Sequence, residues 1–334
     1  MARVFVTGAT GFIGRHLVPA LRGAGHHVTA GLRRPEPDTP PLAADATVLA
    51  PFDSGSDWSR ILSGMEAVVH LAGRAHDIHD IHDIHDVRGE PAEAALRAAN
   101  VGAVAELAGA AGEAGVRRFI HMSTAKVMGE VSATPFRETD TPRPRGAYAQ
   151  SKYDGETVLA RACRPFPGMV VTVLRPPLVY GPGVAANFAS LLRLAGSPWP
   201  LPLAGLTNRR SLIYVANLAD AVRRVIERAP PLGGTFAVTD GPAMTLAEIM
   251  AGLRRAAGRP ARLFTCPRPV LGLALDLAGR AMGRPGLRTR LLGQFEVDDS
   301  AFRQAFDWQP PVDPATAFAH TLCRRGAAIG AGPD

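Results

Sequence analysis

Lysine, cysteine and long hydrophobic runs are scarce in this sequence. Its 334 residues carry a formal net charge of +7, but only two of the 37 basic side chains are lysines. The three cysteines, Cys163, Cys266 and Cys323, have no disulfide or metal-ligand spacing, so we expect free thiols in a reducing compartment and no metal site. The longest apolar stretch, residues 270–278, contains an aspartate and is about half as long as a membrane-spanning helix, so we expect no membrane insertion.

Charge and composition exclude further classes of protein. The arginines stand singly or in pairs with few aromatic residues between them, which argues against a nucleic-acid partner. Residues 1–8 run directly into a strand-like stretch and a glycine turn, without the regions of a secretory signal, so we expect a cytoplasmic protein. With 46% hydrophobic residues the chain can bury a substantial core, and its length suggests about two domains.

Short β-branched runs alternate with alanine-rich helical stretches through the first half of the chain. This alternation is typical of βαβ units, so we predict an α/β fold with a doubly wound parallel sheet and helices on both faces. The predicted strands are residues 4–7, 27–30, 67–71, 118–122, 170–174 and 234–239, and the predicted helices are about 12–24, 92–114 and 147–162. We predict a first domain of residues 1–180 and about 216–240, and a smaller, discontinuous α/β domain of about 181–215 and 241–330.

Residues 76–87 form an internal repeat, His-Asp-Ile three times followed by His-Asp-Val. Imidazoles at a three-residue period do not all gather on one face of a helix or a strand, so the repeat does not favour a metal site. We predict a tandem expansion in the loop after the predicted strand at 67–71. Loops at the carboxyl ends of parallel strands form the ligand crevice of such folds.

A glycine-rich turn lies between the first predicted strand and the first predicted helix. In Gly8-Ala-Thr-Gly11-Phe-Ile-Gly14 the glycines permit a tight turn and a close backbone approach to a pyrophosphate, and the helix N-terminus favours the anion. This context is that of a Rossmann-type dinucleotide site. The first domain is therefore predicted to bind NAD(P) through Gly8, Thr10, Gly11, Phe12, Ile13 and Gly14.

The end of the second predicted strand indicates which dinucleotide is preferred. NAD sites usually carry an acidic residue there for the ribose 2′-hydroxyl, whereas Arg33 and Arg34 follow this strand. Arginine suits a 2′-phosphate, so we predict that NADP(H) is preferred, with NAD(H) as the alternative. Asp53 follows a further strand-like segment, between the predicted strands at 27–30 and 67–71, and is predicted to meet the adenine amino group.

Tyr148 and Lys152 lie four residues apart at the start of a predicted helix, on one face. A tyrosine is a poor base at neutral pH, and a nearby ammonium that stabilises tyrosinate lowers its pKa. We therefore predict that Tyr148 exchanges a proton with a carbinol oxygen while hydride moves to or from nicotinamide, and that Lys152 lowers the tyrosine pKa.

Together these motifs resemble an extended short-chain dehydrogenase/reductase of the NAD-dependent epimerase/dehydratase family, over almost the whole chain. The matching segments are residues 7–14, 70–73, 100, 123–124, 148–152, 175–183 and 298. The resemblance implies that Thr124 hydrogen-bonds the substrate C4 oxygen, with Ser123 beside it in the catalytic group. It also implies a homodimer, a ribose held by Lys152, and a cofactor site lined by Leu71, Ala72, Gly73, Asn100, Pro177 and Leu178.

The predicted second domain resembles the substrate domain of UDP-sugar enzymes in two places. Asn187 and Phe188 form one, and residues 208–215 form the other. Arg210 matches the arginine that meets the diphosphate, which suits its planar, bidentate guanidinium. The resemblance thus implies a UDP-sugar substrate.

Residues 123–130 indicate the reaction. Lys126 and Met128 replace the threonine and tyrosine of typical UDP-hexose 4-epimerases, and the segment resembles UDP-4-keto-6-deoxy-N-acetylhexosamine 4-reductases. We therefore expect NAD(P)-dependent 4-keto reduction of a UDP-linked deoxy-amino sugar, with Lys126 near the substrate. A UDP-hexose or UDP-N-acetylhexosamine 4-epimerase with tightly bound NAD and a non-catalytic dinucleotide-sensing protein are the alternatives. A 4,6-dehydratase is not expected, because Ala125 and Lys126 follow Thr124 where that reaction needs an acid.

Overall fold

The computed structural model describes residues 1–33, 42–50, 52, 56–74, 90–283 and 286–329. Its strands are β1 (Arg3–Thr7), β2 (His27–Leu32), β3 (Ala46–Leu49), β4 (Ala67–His70), β5 (Arg118–Met122), β6 (Val170–Arg175), β7 (Leu178–Tyr180), β8 (Arg209–Arg210), β9 (Leu212–Tyr214), β10 (Gly234–Ala237) and β11 (Met244–Thr245). Within these ranges, seven strands form one parallel sheet in the order β10-β6-β5-β4-β1-β2-β3. The predicted Rossmann-type parallel sheet is confirmed.

The helices flank this sheet and fill the C-terminal part of the chain. They are α1 (Gly14–Gly23), α2 (Trp58–Leu62), α3 (Glu90–Arg97), α4 (Ala103–Glu113), α5 (Gly146–Ala162), α6 (Ala186–Ala195), α7 (Val215–Glu227), α8 (Leu246–Ala256), α9 (Arg268–Ala281), α10 (Leu287–Leu292), α11 (Ser300–Phe306) and α12 (Pro314–Ile329). A π-helical turn, Ala98–Gly102, joins α3 to α4, and a 3₁₀ turn, Ala125–Met128, follows β5. None of the helices described is long and apolar enough to cross a membrane.

The sheet forms because its central strands are apolar runs that helices cover on both faces. In β1, Val4 and Val6 enter one core with α1, α7 and α11, while Phe5 enters the other with α2, α4 and α5. Pairing of β1 with β4 and of β4 with β5 brings the carboxyl ends of these three strands side by side. Ligand crevices of parallel sheets lie at this edge.

A further core lies in the C-terminal part of the chain. Tyr180 and Phe188 stack there with ring centroids 5.1 Å apart, and Phe318 packs on the same tyrosine. Helices α6, α8 and α12 contribute to this core. By contrast, α11 packs Phe302 into the core on the sheet. The boundaries of the two predicted domains stay a prediction.

The helix predicted for about 92–114 is present as the contiguous run of α3, the π-helical turn and α4, but the sequence did not predict the π-helical turn. This turn places the backbone of Asn100 against α5 at Gly155. A Cβ on Gly155 would lie 2.3 Å from the Asn100 carbonyl oxygen. Helix α5 can therefore approach the turn this closely only with a glycine at this position.

We expect Gly155→Ala to destabilise the fold by about 1–3 kcal/mol, because its methyl group overlaps a backbone oxygen and α5 must shift. Gly109→Ala in α4 is the matched control. A Cβ there meets nothing within 4 Å, and alanine favours a helix over glycine by about 1 kcal/mol. Urea unfolding of both variants measures the difference, and equal stability would contradict the close packing of α5.

Candidate functional site

The turn after β1 has glycines where a side chain would overlap neighbouring backbone atoms. A ligand can therefore approach its backbone closely. Gly8 has a φ of +66°, and a Cβ on it would lie 2.7 Å from the Ala72 backbone nitrogen. A Cβ on Gly14 would lie 2.3 Å from the Gly8 carbonyl oxygen, so only glycine lets α1 begin this close to β1. The turn fits a dinucleotide pyrophosphate, and the remaining predicted contacts lie within it at Thr10, Gly11, Phe12 and Ile13.

Hydrogen bonds hold the loop that follows β4 beside this turn. Thr7 at the end of β1 shares a hydrogen bond with His70 Nδ1 at 2.8 Å, and its hydroxyl accepts one from the Ala72 backbone at 3.2 Å. These contacts place the predicted cofactor residues Leu71, Ala72 and Gly73 next to the glycine turn. Thr7 was not among the predicted site residues, although its place at the carboxyl end of β1 is a signal for it.

Asn100, predicted to contact the cofactor, is hydrogen-bonded to three protein groups. Its side chain accepts from the Arg74 backbone N–H and donates to the Arg74 carbonyl, both at 2.9 Å. It also donates to Ser151 Oγ at 2.9 Å, and Ser151 in turn donates to the Tyr148 carbonyl. Asn100 therefore links the loop after β4 to the first turn of α5.

The structure brings three of the four predicted catalytic residues together. Thr124 follows β5, and its hydroxyl forms a side-chain hydrogen bond with Tyr148 from α5. Lys152 lies one turn further along α5 and is only 5% exposed. A Cβ on Gly73 would lie 3.6 Å from Lys152 Nζ, so the amine lies beside the loop after β4. Two hydroxyls thus meet at the strand ends, and the amine, one turn further along α5, lies beside the loop after β4.

Burial determines the protonation of this pair. It raises the pKa of Tyr148 above its ordinary value of 10, and the hydrogen bond with Thr124 does not offset this. Burial also lowers the pKa of Lys152 to about 8, although the Glu156 carboxylate favours the charged form. The predicted lowering of the tyrosine pKa is not seen in this structure: desolvation has the largest effect, and the group that opposes it is the Thr124 hydroxyl.

Ser123, the fourth predicted catalytic residue, faces the interior. Its hydroxyl donates to the carboxylate of Glu156, which is nine-tenths buried. Arg175 at the end of β6 donates to the same carboxylate at 3.0 Å and 2.5 Å. Ser123 therefore belongs to a buried ion-pair network rather than to the reacting surface. The sequence analysis missed Glu156, whose spacing of four residues after Lys152 places both on one face of α5.

Two further buried side chains lie below the strand ends. His70 and His121 stack with ring centroids 5.6 Å apart, and both are fully buried. Among the described residues, Nε2 of His70 and both nitrogens of His121 have no hydrogen-bond partner. Burial, followed by the charge of Lys152, lowers the pKa of His70 to about 3 and the pKa of His121 well below its ordinary value. Both rings are neutral at neutral pH.

The remaining predicted cofactor contacts are spread around this centre. The Ala125 backbone N–H donates to the Pro176 carbonyl at 2.9 Å, which brings Pro177 and the partly exposed Leu178 next to the catalytic strand end. Arg33 is exposed directly after β2. Arg34, Asp53 and the repeat at 76–87 lie outside the described residues.

The predicted substrate residues have different environments. Lys126 is exposed in the 3₁₀ turn next to Thr124. Arg210 donates to the Gly293 carbonyl at 2.8 Å. Asn187 lies in the first turn of α6, and its side chain is not among the described groups. Phe188 is fully buried against Tyr180, so it belongs to the core and offers no exposed surface to a ligand.

We expect His121→Phe to reduce the acid sensitivity of the fold. The unfolded chain protonates this histidine below about pH 6.5, whereas the folded chain keeps it neutral, so the free energy of unfolding falls as pH decreases through this range. At about pH 5 the free energy of unfolding is lower by on the order of 2 kcal/mol because of this histidine, and His121→Phe should not show this decrease. Urea unfolding at about pH 8 and pH 5 measures the difference. An unchanged pH dependence in His121→Phe would overturn the neutral buried state of this histidine.

Known proteins share this fold and these motifs. The NAD dependent epimerase/dehydratase family matches residues 4–238. A UDP-glucose 4-epimerase from Vibrio cholerae is 32% identical over 322 residues, which cover 95% of this chain and 94% of that protein. A solved UDP-N-acetylglucosamine 4-epimerase from Bacillus cereus matches with a TM-score of 0.73 at 21% identity, over 98% of this chain and all of the other. MoeE5, solved with UDP-glucuronic acid and NAD, matches with a TM-score of 0.72 at 22% identity, over 98% of this chain and 100% of the MoeE5 chain.

These matches confirm the resemblance inferred from the motifs. The two solved structures are below 25% identity and support the fold alone, whereas the family match covers most of the chain and the Vibrio relative covers nearly all of it. The same matches confirm the prediction that this protein is an enzyme rather than a non-catalytic dinucleotide-sensing protein. The chain therefore belongs to the NAD dependent epimerase/dehydratase family, within the extended short-chain dehydrogenase/reductase enzymes.

Proposed function

We propose that this enzyme reduces the 4-keto group of a UDP-linked deoxy-amino sugar with NADPH. The observation that carries the proposal is the cluster of Thr124, Tyr148 and Lys152, in which two hydrogen-bonded hydroxyls lie near a buried amine and the loop after β4. Hydroxyls so arranged can bind one carbonyl oxygen and deliver a proton to it. Nicotinamide, when bound, supplies the hydride for C4.

Each residue of the cluster has a separate role in this proposal. Thr124 orients the keto oxygen through its hydroxyl. Tyr148 donates its proton to that oxygen as negative charge develops on it. Lys152 holds the ribose, and its pKa of about 8 lets it carry a proton near neutral pH that can replace the one given by Tyr148.

A protonated Tyr148 is compatible with reduction as the first step. Because its pKa is raised, the hydroxyl is protonated at neutral pH, which is the form that a reductase needs at the start of turnover. An epimerase must first remove a proton with the same oxygen. The 123–130 segment, with Lys126 next to the catalytic threonine, supports reduction through its resemblance to 4-reductases.

Arg210 supports an anionic end of the substrate. Its Nε is buried and has no hydrogen-bond partner among the residues described, while its Nη2 donates to Gly293. Desolvation lowers the pKa of the guanidinium, and a diphosphate bound next to it would offset the cost of burying its charge. A UDP-sugar carries such a diphosphate.

A 4-epimerase of a UDP-hexose or UDP-N-acetylhexosamine, with tightly bound NAD, is the second candidate. The full-length similarity to the Vibrio cholerae UDP-glucose 4-epimerase favours it. The same three residues would then remove and return the hydride and proton at C4. A homodimer and a cytoplasmic location belong to both proposals and rest on the family resemblance and the sequence.

We expect Tyr148→Phe to lower kcat for NADPH-dependent reduction of a UDP-4-keto-6-deoxy-N-acetylhexosamine by about 10²- to 10⁴-fold, because the proton donor is lost. The rate is followed by the absorbance of NADPH. Tyr153→Phe is the matched control, since Tyr153 lies on a different face of α5 and outside the cluster. Near-normal turnover of Tyr148→Phe would refute the assignment.

We expect Arg33→Gln to weaken NADPH binding by about tenfold, because a charge-assisted contact with the 2′-phosphate is lost. Binding of NADH should change less than twofold. Arg60→Gln in α2, whose side chain is 84% exposed, is a control for the loss of one surface arginine. Calorimetric titration of the cofactor-free protein measures both affinities, and equal losses for NADPH and NADH would contradict the proposed 2′-phosphate contact.

The nucleotide that purifies with the protein separates the two candidate reactions. A reductase should be isolated with little cofactor and should oxidise added NADPH in the presence of a 4-keto substrate. One tightly bound NAD per chain, without net oxidation of added NADPH, would favour the epimerase. Mass spectrometry of the nucleotide released on denaturation provides this measurement.

A further inference from the structure

One face of α9 is apolar and exposed to solvent. Val270, Leu273, Ala274, Leu277 and Ala281 follow the helical spacing of three and four residues, and we call this set the α9 face. Leu273 and Leu277 are 61% and 56% exposed. A continuous apolar stripe of this kind on a protein surface marks an interaction site more often than a chance exposure.

The opposite side of α9 is attached to the rest of the protein. Leu271, Gly272 and Gly279 are buried there. A Cβ on Gly272 would lie 3.0 Å from the guanidinium of Arg288, which donates to Asp276 at 3.3 Å. The helix is therefore held in place, while none of the residues that the structure describes covers its outer face.

The segment around α9 carries the entire net positive charge of the protein. Residues 251–292 contain nine arginines and one acidic residue, a net charge of +8, whereas the whole chain has +7. The single acid is Asp276, which is paired with Arg288. Further arginines of this segment are exposed at positions 255, 259, 262, 268 and 280.

Two exposed aromatic side chains belong to the same region. Trp199 is 74% exposed and Phe264 is 48% exposed. The backbones of residues 201 and 263 pair with each other, and Arg254 donates to the Trp199 carbonyl at 2.7 Å. Phe264, in the segment that enters α9, and Trp199, in the segment paired with it, thus add two large apolar groups to the arginine-rich region.

We propose that the α9 face docks this protein on the surface of an anionic phospholipid bilayer. The stripe is about 16 Å long and has arginines beside it, as in helices that lie in the headgroup plane with their aliphatic side chains at the acyl boundary. The guanidinium groups meet the lipid phosphates, and tryptophan is favoured at the same depth. The helix lies on the bilayer and does not cross it.

Charge distinguishes this occupant from a second copy of the chain. Two copies joined through α9 would bring two segments of +8 together, and like charges at contact distance repel. An anionic lipid surface provides a negative counterpart over the whole region and needs no complementary groove for the convex helix. The observations therefore favour lipid.

The experiment is co-sedimentation of the full chain with vesicles of phosphatidylglycerol and phosphatidylcholine in equal amounts. Vesicles of phosphatidylcholine alone are the comparison. We expect binding to the anionic vesicles that is at least about tenfold stronger than to the neutral ones and that decreases as salt screens the arginines. Absence of binding to anionic vesicles at low salt would overturn the proposal.

The contribution of the apolar face is tested with Leu273→Glu/Leu277→Glu. The matched control is Leu49→Glu/Val131→Glu, which makes the same change in charge at two other exposed apolar positions, 55% and 51% exposed. We expect the α9 variant to lose vesicle binding about tenfold and the control to lose less than twofold. Thermal unfolding and dinucleotide binding show that both variants are folded.

Two results, obtained with variants that are folded, would contradict the proposal. Equal losses in both double variants would mean that overall charge alone controls binding, without the apolar face. A concentration-dependent dimer that the α9 variant abolishes, in the absence of vesicle binding, would identify the face as a contact between copies. Both are read from sedimentation and size-exclusion profiles of the same samples.

Discussion

The burial of one lysine where the parallel strands end constrains the rest of the site. Desolvation disfavours the Lys152 ammonium, and the Glu156 carboxylate on the next turn of α5 opposes this effect. That carboxylate is shared with Arg175 from β6 and with Ser123 from the end of β5. Helix α5 is thereby tied to two strands, and its first turn carries Tyr148 to Thr124. Removal of either member of the ion pair would leave a buried charge without its partner, so the catalytic geometry and the stability of the fold depend on the same contacts.

Local sequence patterns were sufficient for the sheet, because apolar continuity and the alternation of strands with helices are properties of neighbouring residues. They were insufficient for the π-helical turn at 98–102. That turn depends on contacts of Asn100 with Gly155 and Ser151, and the second of these is 51 residues away in sequence. The ion pair of Arg175 was equally hidden, since one arginine among 35 carries no signal by itself. Such features depend on packing between residues far apart in sequence, which the hydrophobic periodicity of the sequence does not indicate.

The sequence predicted the site residues correctly where a motif determines which way each side chain points. It predicted them less well where no motif does so. Neighbours along an extended chain point to opposite sides, so Thr124 and Ser123 cannot both face Tyr148. The structure directs Thr124 to the tyrosine and Ser123 to Glu156. The direction of the tyrosine pKa shift could not be predicted from the spacing to Lys152, because the burial of Tyr148 has the larger effect. Spacing shows which groups meet, whereas packing determines how much water is left around them.

The residues that move the proton are the same for reduction and for epimerisation, so the choice between the two reactions depends on how long the oxidised cofactor stays bound. The turn predicted to hold the pyrophosphate is closely packed, because Gly8 and Gly14 leave no space for any side chain. The adenosine end is different, since β2 is followed by the exposed Arg33. An exposed arginine makes a contact with phosphate that salt screens and water competes for, which favours exchange of the cofactor between turnovers. In the proposed reductase, which would release NADP in each cycle, the exposed Arg33 is the residue whose contact with the 2′-phosphate would permit this exchange.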